Sequence, residues 1–82
     1  MLKKSPPLEP AARNPAQLGA ALLRFRKKAF WTQQQVGERS SIKQSMVSQV
    51  ESGTIGTRLG TLFKLLAALD LELVVRVRKK TL

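Results

Sequence analysis

Gln44, Ser45, Ser48 and Gln49 lie in a stretch whose apolar members, Val47 and Val50, stand three residues apart. If that stretch is helical, the valines face inward and the four polar side chains share the outward face. A glutamine amide can bond an adenine edge in two places, and a serine hydroxyl can donate or accept. Such a face can therefore read a major groove, although a solvated polar helix face would look similar. Lys43 sharpens the first reading. A cation at a helix N-terminus opposes the dipole, and Ser, Thr or Asp would cap better. A guanine or phosphate contact accounts for it, with accident as the competing explanation. Gln33 begins the preceding apolar-polar stretch and is placed to offer its amide and a helix N-terminus to a phosphate. Glu51 would repel phosphate and reads as a helix-end or packing carboxylate.

The same inventory argues against catalysis. The chain has no His and no Cys, and its five carboxylates are scattered without the spacing of a pair or a metal site. No glycine-rich phosphate loop is present. Fifteen Lys and Arg give a formal net charge of +10 over 82 residues. That favours a polyanionic partner, nucleic acid first and an anionic membrane surface second, with basic tails and solubility as the bland alternative. No cofactor is expected.

The elements that must position these residues follow from local signals. Residues 1–13 hold three of the four prolines together with Lys3, Lys4 and Arg13, and are expected to form a disordered basic arm. Asn14-Pro15 marks a helix start. Leu18, Ala21, Leu22 and Phe25 then form an apolar stripe, and Arg24, Arg26, Lys27 and Lys28 close the helix. Those four cations either complement its dipole or touch phosphates. Thr32 and Gln35 make a capping box, with Trp31 and Val36 as the flanking hydrophobic staple. Gly37 is small where the second helix must let the third approach. A turn over residues 40–43 leads to a third helix from about Gln44 to Glu51, stopped at Gly53. Two short helices joined this way suit a helix-turn-helix.

A last helix is expected over about Arg58 to Leu69, capped by Thr57. Leu59, Leu62, Phe63 and Leu66 form one stripe, widened by Leu65, Ala68 and Leu69. A helix this apolar needs cover on more than one side, which a second copy of a small chain would supply. Beyond it the period changes to two. Leu71, Leu73, Val75 and Val77 alternate with Glu72, Val74, Arg76 and Arg78, the rhythm of a strand, against the alternative of continued helix. One strand has no partner in this sequence, so pairing with its two-fold mate in a dimer is expected. The fold expected is mainly α: a four-helix helix-turn-helix domain over 14–70, a dimerisation strand over 71–78 and a basic tail over 79–82. The N-terminus lacks the apolar stretch of a signal peptide, and the longest apolar run, residues 65–69, is far short of a membrane span. A cytoplasmic protein is expected.

Residues 14–78 resemble the Cro/repressor-type helix-turn-helix family and, within it, the HipB antitoxins. The likeness is carried by Trp31-Thr32-Gln33, by Ile42-Lys43-Gln44 leading into Val47-Ser48 and Glu51, and by the run from Leu59 to Leu66 before the terminal strand. It implies a bacterial homodimer that binds palindromic double-stranded operator DNA and represses its own operon. It also implies a HipA-like serine/threonine kinase toxin held inactive in complex. By motif position the DNA contacts would be Gln33, Lys43, Gln44, Ser45, Ser48 and Gln49. The chain departs from the pattern at Ser41, where a turn glycine is common and a left-handed residue with a Cβ costs roughly 1 kcal/mol. It also stops at Leu82 without the longer acidic tail of some relatives. Two other readings compete: a stand-alone or phage-type repressor without a toxin, and a basic RNA- or membrane-binding module. RNA readers usually need exposed aromatics, and a membrane helix would segregate its cations opposite one apolar face.

Overall fold

The first helix begins where its chemistry requires. In the computed structural model, which describes residues 10–54 and 56–78, Asn14 is extended and its side chain accepts from the Gln17 amide at 2.8 Å, with Pro15 following. Four helices result: α1 (Pro15–Lys28), α2 (Gln33–Ser40), α3 (Gln44–Ser52) and α4 (Leu59–Ala68). The capping box of α2 forms in both directions, Gln35 N–H to Thr32 Oγ1 at 3.0 Å and Thr32 N–H to Gln35 Oε1 at 2.8 Å.

Three of the four helices stop in the same way. Phe30, Ser41 and Asp70 each take a left-handed conformation, with φ of 61°, 60° and 56°. Each donates its N–H three residues back, and the next residue donates five back: Trp31 to the Arg26 carbonyl at 3.1 Å, Ile42 to Gly37 at 2.9 Å, Leu71 to Leu66 at 2.7 Å. These are Schellman stops, which satisfy the last carbonyls and turn the following apolar residue back onto the helix. Trp31, Ile42 and Leu71 do pack against the core. Glycine is the residue such positions favour, and only α3 has it, at Gly53.

The core is Leu22 from α1, Val36 from α2, Val47 and Val50 from α3, and Leu62, Leu65 and Leu66 from α4. α1 packs on α3, and α2 packs on both α3 and α4. Glycines permit close approaches at two helix contacts. A Cβ on Gly37 would stand 2.6 Å from the Ile42 carbonyl oxygen, inside the turn that joins α2 to α3. A Cβ on Gly19 would run into the Val50 carbonyl oxygen, where α1 crosses α3.

Three expectations change. Thr57 does not cap α4: the flanking residue is Arg58, extended and without a side-chain cap bond, so Thr57 is one position early to reach the first-turn amides. Arg26 is not on the surface with its neighbours but buried. Residues 71–78 are not a strand in the single chain, because a strand is a ladder and no ladder partner is present. They do not continue α4 either, since the Asp70 stop intervenes. The arm expected over residues 1–13 falls mostly outside the described residues, as does the basic tail over 79–82. Among the described residues, no helix is long and apolar enough to cross a membrane.

Candidate nucleic-acid interface

Val47 and Val50 turn one side of α3 into the core and leave Gln44, Ser45, Ser48 and Gln49 exposed on the other. Met46 is half-buried against the core and takes no part in that face. Lys43 precedes the helix in an extended conformation, exposed and with no side-chain cap bond. The first amides of α3 are thus left without a side-chain cap, with a cation beside them. This combination is unfavourable for the isolated helix and suited to an approaching anion.

Behind the face lies a polar network that ties three helices together. Arg26 Nε on α1 donates to Glu51 Oε2 on α3 at 2.6 Å, and its second guanidinium nitrogen reaches Glu51 Oε1 at 3.1 Å. A third donor closes on the Trp31 carbonyl at 2.8 Å. Gln33 Nε2, from the first turn of α2, donates to Glu51 Oε1 at 2.9 Å. Arg26 and Glu51 are both buried, and among the described residues no buried side-chain nitrogen or oxygen lacks a partner. A bidentate Arg–carboxylate pair of this kind has fixed geometry as well as strength. It holds the C-terminal end of α3 against α1 and pins the Gln33 side chain at the N-terminus of α2.

A second brace joins α2 to α4. The Arg39 guanidinium lies 4.3 Å from the centroid of the Trp31 ring, and its Nε donates to the Ala68 carbonyl at 3.1 Å. One side chain thus combines a cation–π contact with charge at a helix C-terminus.

Of the six residues singled out from sequence, Lys43, Gln44, Ser45, Ser48 and Gln49 come together on the outer face of α3 and the turn before it. Gln33 stands apart, half-buried and committed through one amide hydrogen to Glu51. Sequence reasoning missed Arg26 and Arg39. Arg26 carried a signal: it falls four residues after Leu22, on the apolar stripe, where a cation requires a buried partner. Arg39 carried none, because its two partners lie in other elements. Arg58 stands exposed at the start of α4.

Among the described residues, several large apolar side chains stand exposed away from α3. Leu59 and Phe63 on α4 are 68% and 50% exposed, and Val75 and Val77 beyond it are 91% and 92% exposed.

Comparison with known proteins places this geometry. Residues 22–75 match the family model described as Helix-turn-helix. The chain is similar to antitoxin HipB of Escherichia coli strain K12, 34% identical over 62 residues that span 76% of this chain and 70% of that protein. Among solved structures it is similar to HipB in a HipA–HipB–O2–O3 complex, with a TM-score of 0.78 and 32% identity over 84% of this chain and 97% of that one. HipB in complex with an O4 20mer gives the same TM-score, identity and coverage. It is also similar to the restriction-modification controller protein C.AhdI of Aeromonas hydrophila, with a TM-score of 0.67 and 30% identity over 70% of this chain and 86% of that one.

Proposed function

The chain belongs to the helix-turn-helix family, among proteins like the HipB antitoxins, and from that membership we propose that it is a dimeric operator-binding repressor and antitoxin. It autorepresses its operon and neutralises a HipA-like serine/threonine kinase toxin at the bacterial nucleoid. The observation that carries the reading is the exposed face of α3, headed by uncapped Lys43 and braced from behind by Arg26, Glu51 and Gln33.

In this mechanism α3 lies in the major groove. Gln44 and Gln49 bond base edges, Ser45 and Ser48 supplement them, and Lys43 reaches guanine or phosphate at the mouth of the groove. Gln33 keeps its second amide hydrogen to donate to a phosphate oxygen, while Glu51 fixes its orientation. The uncovered face of α4 and residues 71–78 meet their two-fold mates, so two copies of α3 address half-sites about 10 bp apart or a multiple of that. The toxin enters by analogy with the HipA–HipB complex, in which a protein similar to this one stands beside HipA.

A stand-alone regulator is the second reading, supported by the similarity to a restriction-modification controller protein. A pull-down of the native protein from its host, with nuclease added and partners identified by mass, separates the two. A kinase-like protein in near-equal amount supports the antitoxin. Self-association alone, in a protein that still binds its own promoter, supports the stand-alone repressor.

A further inference from the structure

Phe30 is 93% exposed and left-handed, with φ of 61°. Both features are unfavourable for a phenylalanine, and the Schellman stop that requires the conformation would be better served by glycine or asparagine. The ring does not hold the turn together; the backbone bonds from Phe30 and Trp31 do that, and Trp31 supplies the apolar contact. A strained, solvent-facing aromatic with no partner among the described residues is the kind of outlier that points to a ligand.

Its neighbours indicate which ligand. Lys27 and Lys28 are exposed, and Arg24, three and four residues before them, shares their side of α1. Trp31 is turned toward the core, and Ala29 and Thr32 are small, so the ring stands alone among cations. A protein partner recognised through apolar area would find too little here. A sugar–phosphate backbone offers what the patch lacks: phosphates for the three cations, and the apolar face of a deoxyribose for the ring. The patch also lies two residues before Thr32, the N-cap of α2, at the helix end that the proposed docking turns toward phosphate.

We propose that Phe30, with Arg24, Lys27 and Lys28, forms a backbone-clamping contact outside the major groove, the ring packing on a deoxyribose while the cations hold the flanking phosphates. The inference rests on the DNA-binding reading above. It assigns the end of α1 to affinity and register, with no part in choosing bases.

The test is the pair Phe30→Gly and Phe30→Asn, both of which suit the left-handed position, so loss of binding cannot be ascribed to loss of fold. Binding is measured by fluorescence anisotropy on a duplex selected by the parent protein from a randomised pool, and on a scrambled duplex, across a salt series. The expected result is a melting temperature raised by about 4–8 °C for the glycine variant. Affinity should fall about threefold to tenfold on both duplexes, as for a lost aromatic contact. The salt slope should not change, since no charge is removed. Unchanged affinity in both variants, with the parent binding normally, overturns this proposal and leaves the DNA-binding reading intact, whether or not capture of a protein partner suffers. A melting temperature below the parent's overturns it as well, because the ring would then be packing within the fold. A parent that binds neither duplex sinks the DNA-binding reading itself.

Discussion

Arg26 and Glu51, twenty-five positions apart, meet at 2.6 Å in the interior, and the same carboxylate takes the Gln33 amide at 2.9 Å. One buried acid therefore connects the end of α1, the start of α2 and the end of α3. Removing either charge would leave the other buried without its counter-charge, with only a neutral hydrogen-bond partner. Glu51→Ala is expected to destabilise the domain by about 3–5 kcal/mol, and Arg26→Ala by a similar amount. The double replacement Arg26→Met, Glu51→Leu should recover most of that loss, since a matched apolar pair removes both desolvation penalties. Urea unfolding of the three variants checks this; a double variant no more stable than either single one would refute it.

Ser41 gives the opposite sign. Its φ of 60° is held by the stop of α2 and not by its own preference. Ser41→Gly should stabilise the fold by about 1 kcal/mol, because glycine pays no Cβ penalty in this conformation. The gain is limited by the greater freedom of glycine in the unfolded chain. Thermal melting measures the balance, and a lowered midpoint would mean that the serine side chain contributes more than its backbone strain removes.

What was legible in the sequence follows the range of the interactions. Asn14 with Pro15, Thr32 with Gln35, and Gly53 act within three or four residues, so their helix ends could be read directly and formed as read. The inward pair Val47 and Val50 fixed the outward face of α3 for the same reason. The Arg26–Glu51 pair could not be read because its partner lies across the fold, and the position of Arg26 on the apolar stripe was the only trace. Phe30 was not legible as a left-handed stop, since phenylalanine rarely takes that conformation, and Asp70 was missed because aspartate takes it far less often than glycine. Thr57 misled because a good capping residue one position early looks like a cap. The strand expected over 71–78 does not form among the described residues, since its period-two pattern needs a ladder that they do not supply.

The outward face of α3 makes a prediction about specificity. Gln44→Ala and Lys43→Ala should each cost about 1–3 kcal/mol on the operator and relax discrimination at the base each one reads. Both side chains are exposed, so the fold should be unaffected. Equal losses on operator and random DNA, seen by anisotropy titration, would reduce them to backbone contacts. Affinity should also fall steeply with salt as counterions return to the phosphates.

In the proposed dimer, the exposed apolar residues of α4 would join the two readers. Leu59 and Phe63 are four residues apart on one side of α4, and both are at least half exposed among the described residues. Val74, Val75 and Val77 stand beyond the Asp70 stop, equally uncovered. Large exposed apolar side chains concentrated in this way mark an interface when they are contiguous, and a two-fold mate would bury the α4 pair and supply the missing ladder to the terminal segment together. Leu59→Glu combined with Phe63→Glu should therefore convert a dimer to monomer without unfolding it, since neither residue belongs to the core. Deletion of residues 71–82 should weaken the dimer by removing the ladder, and it also removes Leu71, which packs on the core and closes the α4 stop. Sedimentation velocity reads both, and an undiminished dimer after the deletion would defeat strand pairing. On DNA the monomeric variant should keep its half-site affinity but lose the advantage of a palindrome, because two half-sites then bind independently and the effective concentration of the second reader disappears. A variant that is monomeric yet still prefers the palindrome would show that the operator itself, and not this face, brings the two readers together.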